Sequence, residues 1–110
     1  MKLPNADRAV ISEANLRDYL LNEGHPDNRG KARVLRALGY TQANWRRLEQ
    51  DLREQHVEQD GRSGNPSKYG PTHRIAATLR GPEGTATMIS IWILRSGEDS
   101  PALVTLYPES

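Results

Sequence analysis

Cysteine and phenylalanine are both absent from this 110-residue chain. Without thiols there is no disulfide framework, no thiolate metal site and no cysteine nucleophile. Without phenylalanine, and with 35% apolar residues, the core has to be assembled from Leu, Ile, Val, Ala, Trp and Tyr. No apolar run approaches membrane-spanning length, and the first residues lack the roughly 7–15-residue apolar segment of a secretory leader. The chain therefore reads as soluble and cytoplasmic, with no membrane partner. Its length suits one domain over residues 1–110. GxSxG, HExxH, phosphate-loop and dinucleotide patterns are missing, and the three histidines have no metal-ligand spacing, so neither a cofactor nor a metal is expected.

Charge is nearly balanced overall, at +1, but it is segregated along the chain. Residues 29–53 carry seven cations against two anions, while the flanking segments are each net negative. Twelve of the fifteen cations are arginine, whose planar guanidinium makes bidentate bonds to phosphate and stacks on bases. An anionic, nucleotide-like ligand fits this bias; a solvated, salt-bridged helix face fits it as well.

The first half has helical periodicity. Ser12 can cap a helix carrying Leu16, Tyr19 and Leu20, which ends at Asn22, Glu23 and Gly24. A polar loop from Gly24 to Gly30 leads into a second helix, Lys31–Leu38, with an apolar face of Val34, Leu35 and Leu38 and a C-terminal cap at Gly39. Thr41 can cap a third helix from Gln42 to about Gln55, with Trp45, Leu48 and Leu52 on one stripe and Arg46, Arg47, Asp51 and Glu54 off it. Residues 60–71 hold three glycines and two prolines and read as a surface loop. Strands follow at Thr72–Arg80, Thr85–Arg95 and Ala102–Tyr107, with His56–Gln59 as a possible fourth, and turn chemistry at Gly81–Gly84 and Ser96–Pro101. The expected fold class is α+β, with three N-terminal helices packed on one face of an antiparallel sheet of three to four strands.

Side chains two apart share a sheet face. Assigning the more apolar set to the helices puts Ile75, Ala77, Leu79, Thr87, Ile89, Ile91, Ile93, Val104 and Leu106 inside. The outer face then carries Arg74, Ala76, Thr78, Arg80, Met88, Ser90, Trp92, Leu94, Leu103, Thr105 and Tyr107. Rings interleaved with arginines and hydroxyls suit unpaired RNA, with Arg33, Arg74, Arg80 and Trp92 as binding residues. A dimer interface built on Met88, Trp92 and Leu94, or their burial beneath the 60–71 loop, accounts for the same pattern.

His25 stands out among possible chemical groups, because its loop runs into a helix opening with Arg29 and Lys31, where amide N–H groups favour a phosphate. An imidazole there can act as acid or base on a phosphodiester, with Lys31 or Arg33 stabilising the developing charge. The alternative is that His25 and Pro26 merely shape the helix connection.

The segments LRDYLLNEGHP, RGKARVLRALGYT, NWRRLEQDL and WILRSGEDSPALVTLYP together resemble a family of small uncharacterised bacterial domains, over nearly the whole chain. The layout of that family is similar to the barnase–EndoU–colicin–RelE class of ribonuclease toxins. The resemblance implies metal-independent RNA cleavage, with His25, Lys31, Arg95, Thr105 and Tyr107 as the matching catalytic positions. It also implies a cognate antitoxin or immunity protein, which would act most simply by covering the open sheet face. Members carry an arginine where this chain has Ala102. The readings that compete with a toxin-like endoribonuclease are a non-catalytic interaction module, as homodimer or toxin–antitoxin partner, and a nucleic-acid binder that does not cleave.

Overall fold

Ser12 opens the helical half as its position suggests, its Oγ accepting the Asn15 N–H at 3.1 Å. The computed structural model describes residues 2–28, 30–95 and 97–109; Arg29, expected beside Lys31, and Ser96, at the start of a predicted turn, lie outside them. After a 3-10 turn at Ala6–Arg8, the first helix, Ala14–Leu20, winds as a π-helix and buries Leu16 and Leu20. Helix α1 spans Lys31–Ala37. Its end has two diagnostic bonds, Gly39 N–H to Arg36 C=O at 2.9 Å and Tyr40 N–H to Leu35 C=O at 3.0 Å. This is a Schellman motif with glycine at the left-handed position, φ 99°. Helix α2, Trp45–Gln55, starts one turn later than its apolar periodicity suggests. Asn44 Oδ1 accepts the Thr41 N–H at 2.7 Å, so the Thr41–Asn44 turn closes on itself before the helix begins.

Along α2, Leu48 and Leu52 are fully buried, as the stripe predicts. Asp51, read as off the stripe, is buried too: its Oδ2 accepts the Tyr40 hydroxyl at 2.6 Å and Arg47 Nε at 2.9 Å. Burial, followed by the Asp51 bond and charge, pushes the Tyr40 phenol well above its ordinary value.

The antiparallel sheet has the order β1-β2-β3-β4, built from Arg62–Ser63, Thr72–Arg80, Thr85–Ile93 and Ala102–Pro108. His56–Gln59 is not the fourth strand, since His56 and Val57 are buried at the C-terminal end of α2, their amides both bonded to the Leu52 carbonyl, and pairing starts at Arg62. The last strand pairs in parallel with Val10 through an isolated bridge, and Asn15 Nδ2 donates to Leu103 and Val104 carbonyls at 2.9 and 3.2 Å. Backbone groups of an edge strand are thereby occupied.

The helix-facing side of β3 is the reverse of the one expected. Ile75 pairs with Ser90, Ala77 with Met88 and His73 with Trp92, so Met88, Ser90 and Trp92 share the core face with Ile75 and Leu79, all of them at 0% exposure. Ile89, Ile91 and Ile93 lie on the face without helices. Trp92 and Ser90 are consequently not on the open surface, and Trp92 is not available to stack on RNA or to form a dimer contact. In β4 a bulge lies opposite Ile91 and Trp92: Thr105 pairs with Ile91 but Leu103 with Trp92. The extra residue, Val104, is exposed, and Leu103 and Leu106 both reach the core.

Candidate functional site

The loop from Leu21 to Gly30 is shaped by Asn28, a buried asparagine that sequence reasoning passed over. Its Nδ2 donates to the carbonyls of Tyr19, at 3.1 Å, and Asn22, and its Oδ1 accepts the Gly30 N–H at 3.1 Å. The Lys31 N–H bonds to the Asn28 carbonyl at 2.9 Å. The Gly30 and Lys31 amides at the start of α1 are therefore satisfied by Asn28 within the loop.

The side chains around Lys31 do converge. Lys31 Nζ donates to Tyr19 Oη at 2.8 Å and to Thr105 Oγ1 at 2.9 Å, tying the start of α1 to the first helix and the edge strand. No salt bridge to Lys31 is found among the described residues. The His25 ring meets the Tyr19 ring edge-on, 5.0 Å between centroids. His25 and Thr105, 80 residues apart in the chain, thus belong to one contiguous group through Tyr19 and Lys31.

His25 Nδ1 accepts the Asp27 N–H at 3.1 Å. A ring nitrogen that accepts carries no proton, so in the neutral ring the proton sits on Nε2. In this arrangement the imidazole is a hydrogen-bond donor through Nε2, and Nδ1 becomes a base only when the Asp27 bond opens. His25 also lines a cleft of about 220 Å³ with Arg33, Glu23, Pro26 and Asn28.

The remaining positions are dispersed. Tyr107 lies on the same face of β4 as Thr105, opposite Ile89. Arg95 lies past the end of β3 against the Gly70 turn, four residues beyond the partner of Thr105, or roughly 13 Å of extended chain. It is outside the group around Lys31. Arg74 and Arg80 are on the open sheet face by their alternation with Ile75 and Leu79. Ala102 is buried opposite Ile93 and beside Val10, on the same sheet face as Thr105, which pairs with Ile91 two residues away. Tyr19 has the helical spacing of Leu16 and Leu20 and reads as core; only the fold shows its hydroxyl on Lys31.

Residues 2–110 match the family described as Domain of unknown function (DUF6883). The chain belongs to that family of uncharacterised domains. No curated protein and no solved structure matches it. No helix among the described residues is long and apolar enough to cross a membrane.

Proposed function

We propose that this chain is a toxin-like, metal-independent endoribonuclease whose scissile phosphate sits against Lys31. The observation that supports this reading best is the half-buried ammonium held by two hydroxyls, with no carboxylate salt bridge among the described residues. A cation partly withdrawn from water and left without an anion is costly unless a ligand supplies the charge. A phosphodiester does so, and its added negative charge in the transition state strengthens the contact at the moment of reaction.

The reaction is an internal transesterification. The ribose 2′-oxygen bonds to phosphorus as the P–O5′ bond breaks, leaving a 2′,3′-cyclic phosphate and a 5′-hydroxyl. One imidazole can carry both protons: His25 Nδ1, released from Asp27, takes the 2′ proton, and Nε2 gives its own to the departing 5′-oxygen. Thr105 and Tyr19 hold the ammonium in place, Arg33 contacts a flanking phosphate, and Arg74, Arg80 and Tyr107 offer the open face to RNA. Such an activity calls for a neutralising antitoxin or immunity protein on that face.

The test is purified protein incubated with RNA in EDTA. Cleavage is expected, ending in cyclic phosphates, with Lys31→Met reducing the rate by about 10²–10³-fold and His25→Ala by about 10²–10⁴-fold. Intact RNA at high protein concentration, or full activity in both variants, rejects the proposal. RNA binding without products, or a stable dimer or complex with an unrelated protein and no RNA affinity, assigns the chain to a competing reading.

A further inference from the structure

Arg95 has no part in the Lys31 group, and the turn it lies against carries the most exposed aromatic ring of the chain. Tyr69 is 59% exposed, whereas Tyr19, Trp45 and Tyr107 are half-buried and Tyr40 and Trp92 are buried. The turn that presents it is closed on itself. Ser67 and Gly70 exchange both backbone bonds, at 3.3 and 3.2 Å, while Ser67 Oγ accepts the Tyr69 N–H at 3.2 Å and donates to the Gly70 carbonyl at 2.9 Å. The turn is also seated on the end of β3: the Leu94 N–H bonds to the Pro71 carbonyl at 3.1 Å, and a Cβ on Gly70 would collide with the Leu94 carbonyl and stand 3.2 Å from Arg95 Cα. Arg95 follows Ile93 by two residues and so, by alternation, lies on the face without helices. Lys68 Nζ stands over the Tyr69 ring, 5.1 Å from its centroid. Lys68 and Arg95 are both exposed and make no salt bridge among the described residues. Glu98 bonds the Arg95 carbonyl through its N–H, at 3.0 Å, and leaves the guanidinium unpaired.

We propose that Tyr69, Lys68 and Arg95 form a nucleotide subsite at the end of the open sheet face, the ring stacking on a base and the two cations holding the adjoining phosphates. The subsite rests on the reading of RNA as the ligand of the Lys31 group. Unpaired bases stack on aromatic rings, and stacking tolerates any sequence because every base has a face to offer. The ammonium over one face of the ring is placed to meet a phosphate of the same strand. Because Ser67 and the end of β3 fix the turn before a ligand arrives, little ordering is left to oppose binding. Arg95 is roughly 13 Å along the sheet from the Thr105 level, so the base held here is a flanking one and not the one at the scissile phosphate.

The experiment measures binding of a short single-stranded 2′-deoxy oligonucleotide, which has no attacking 2′-oxygen, to the full chain by fluorescence anisotropy, with RNA cleavage followed in parallel. Tyr69→Ala should weaken binding about 5–100-fold, and Tyr69→Phe should not, since the ring and not the hydroxyl makes the contact. A strand of the same length without bases should bind the native chain and Tyr69→Ala equally. Arg95→Ala should weaken binding of both strands, because both keep their phosphates. Undiminished affinity in Tyr69→Ala or in Arg95→Ala, or a baseless strand bound as tightly as the intact one, overturns the subsite even where RNA is cleaved. Ring-dependent binding with RNA left intact upholds the subsite and rejects the nuclease. Absence of binding overturns the subsite, and absence of both binding and cleavage rejects the two together.

Discussion

His56 shows how one side chain organises the core. The Ala77 carbonyl can only accept, so His56 Nε2 carries the proton and donates to it, while Nδ1 accepts from the Ser90 hydroxyl, which in turn accepts the Trp92 N–H. Every polar side-chain atom of this buried chain is bonded, Ser90 Oγ twice. Burial lowers the pKa of His56 below its ordinary 6.5, opposed only in part by the Ala77 bond. The unfolded chain takes up a proton near pH 6.5 that the folded ring resists, so this contribution to stability is intact above that pH and is lost as pH falls toward the folded-state value. Urea midpoints should be flat between about pH 7 and 8 and decline below about pH 6, with a shallower decline in His56→Phe. Equal slopes in the two proteins would assign the acid sensitivity to other groups. Trp92→Phe is expected to cost about 1–3 kcal/mol, because it leaves a gap and strips Ser90 of a donor. It should leave RNA affinity unchanged, the opposite of what an exposed stacking residue would do.

Helix α1 and the turn between β2 and β3 are bolted together at Gly39. The Glu83 N–H bonds to the Leu38 carbonyl at 2.9 Å, and a Cβ on Gly39 would stand 2.8 Å from that same nitrogen. Gly39→Ala therefore meets both a positive φ and a backbone collision, and a loss of about 2–4 kcal/mol is expected by urea denaturation. Gly97 also has positive φ, at 85°, but open space around it, so Gly97→Ala should cost only about 1 kcal/mol. Similar losses at the two positions would mean that the turn gives way around a Cβ. The Gly39 cap, the apolar faces of α1 and α2 and all three long strands were legible because each has a local signal: a glycine, a period or a turn. The inward face of β3 was not, since Met88-Ser90-Trp92 and Ile89-Ile91-Ile93 are both apolar and the serine argues for the wrong side. Only the distant His56 makes Ser90 acceptable in the core. The bulge at Val104 likewise has no local mark, and it is what lets Leu103 and Leu106 point the same way. In the candidate site, His25 and Lys31 could be read from the basic loop, whereas Asn28 and Tyr19 act through contacts that exist only once the loop has closed.

Across the whole molecule, the open face of the sheet and the Lys31 group meet at β4. Thr105 pairs with Ile91 and touches Lys31, and Tyr107 continues along the same strand. On the far side of that face, Arg62 and Arg74 stand directly opposite each other in β1 and β2 and share the wall of a shallow cavity with Asp60. Ile89 and Ile93, between these margins, are only 3% and 6% exposed, so the centre of the face offers little apolar area for a dimer. On the proposed reading, its contacts with RNA would be made by the charged margins. A single RNA strand running from Arg74 and Arg80 to Lys31 would place phosphates on both margins, and each arginine that meets one adds to the salt dependence of binding. Arg74→Ala and Arg80→Ala should each reduce the slope of log affinity against log salt by about 0.7 for a single-stranded oligonucleotide, while Gly97→Ala leaves it alone. Slopes unchanged in both arginine variants would show that RNA bypasses the sheet and contacts only the loop and helix around Lys31, moving the binding surface to the His25 and Arg33 cleft.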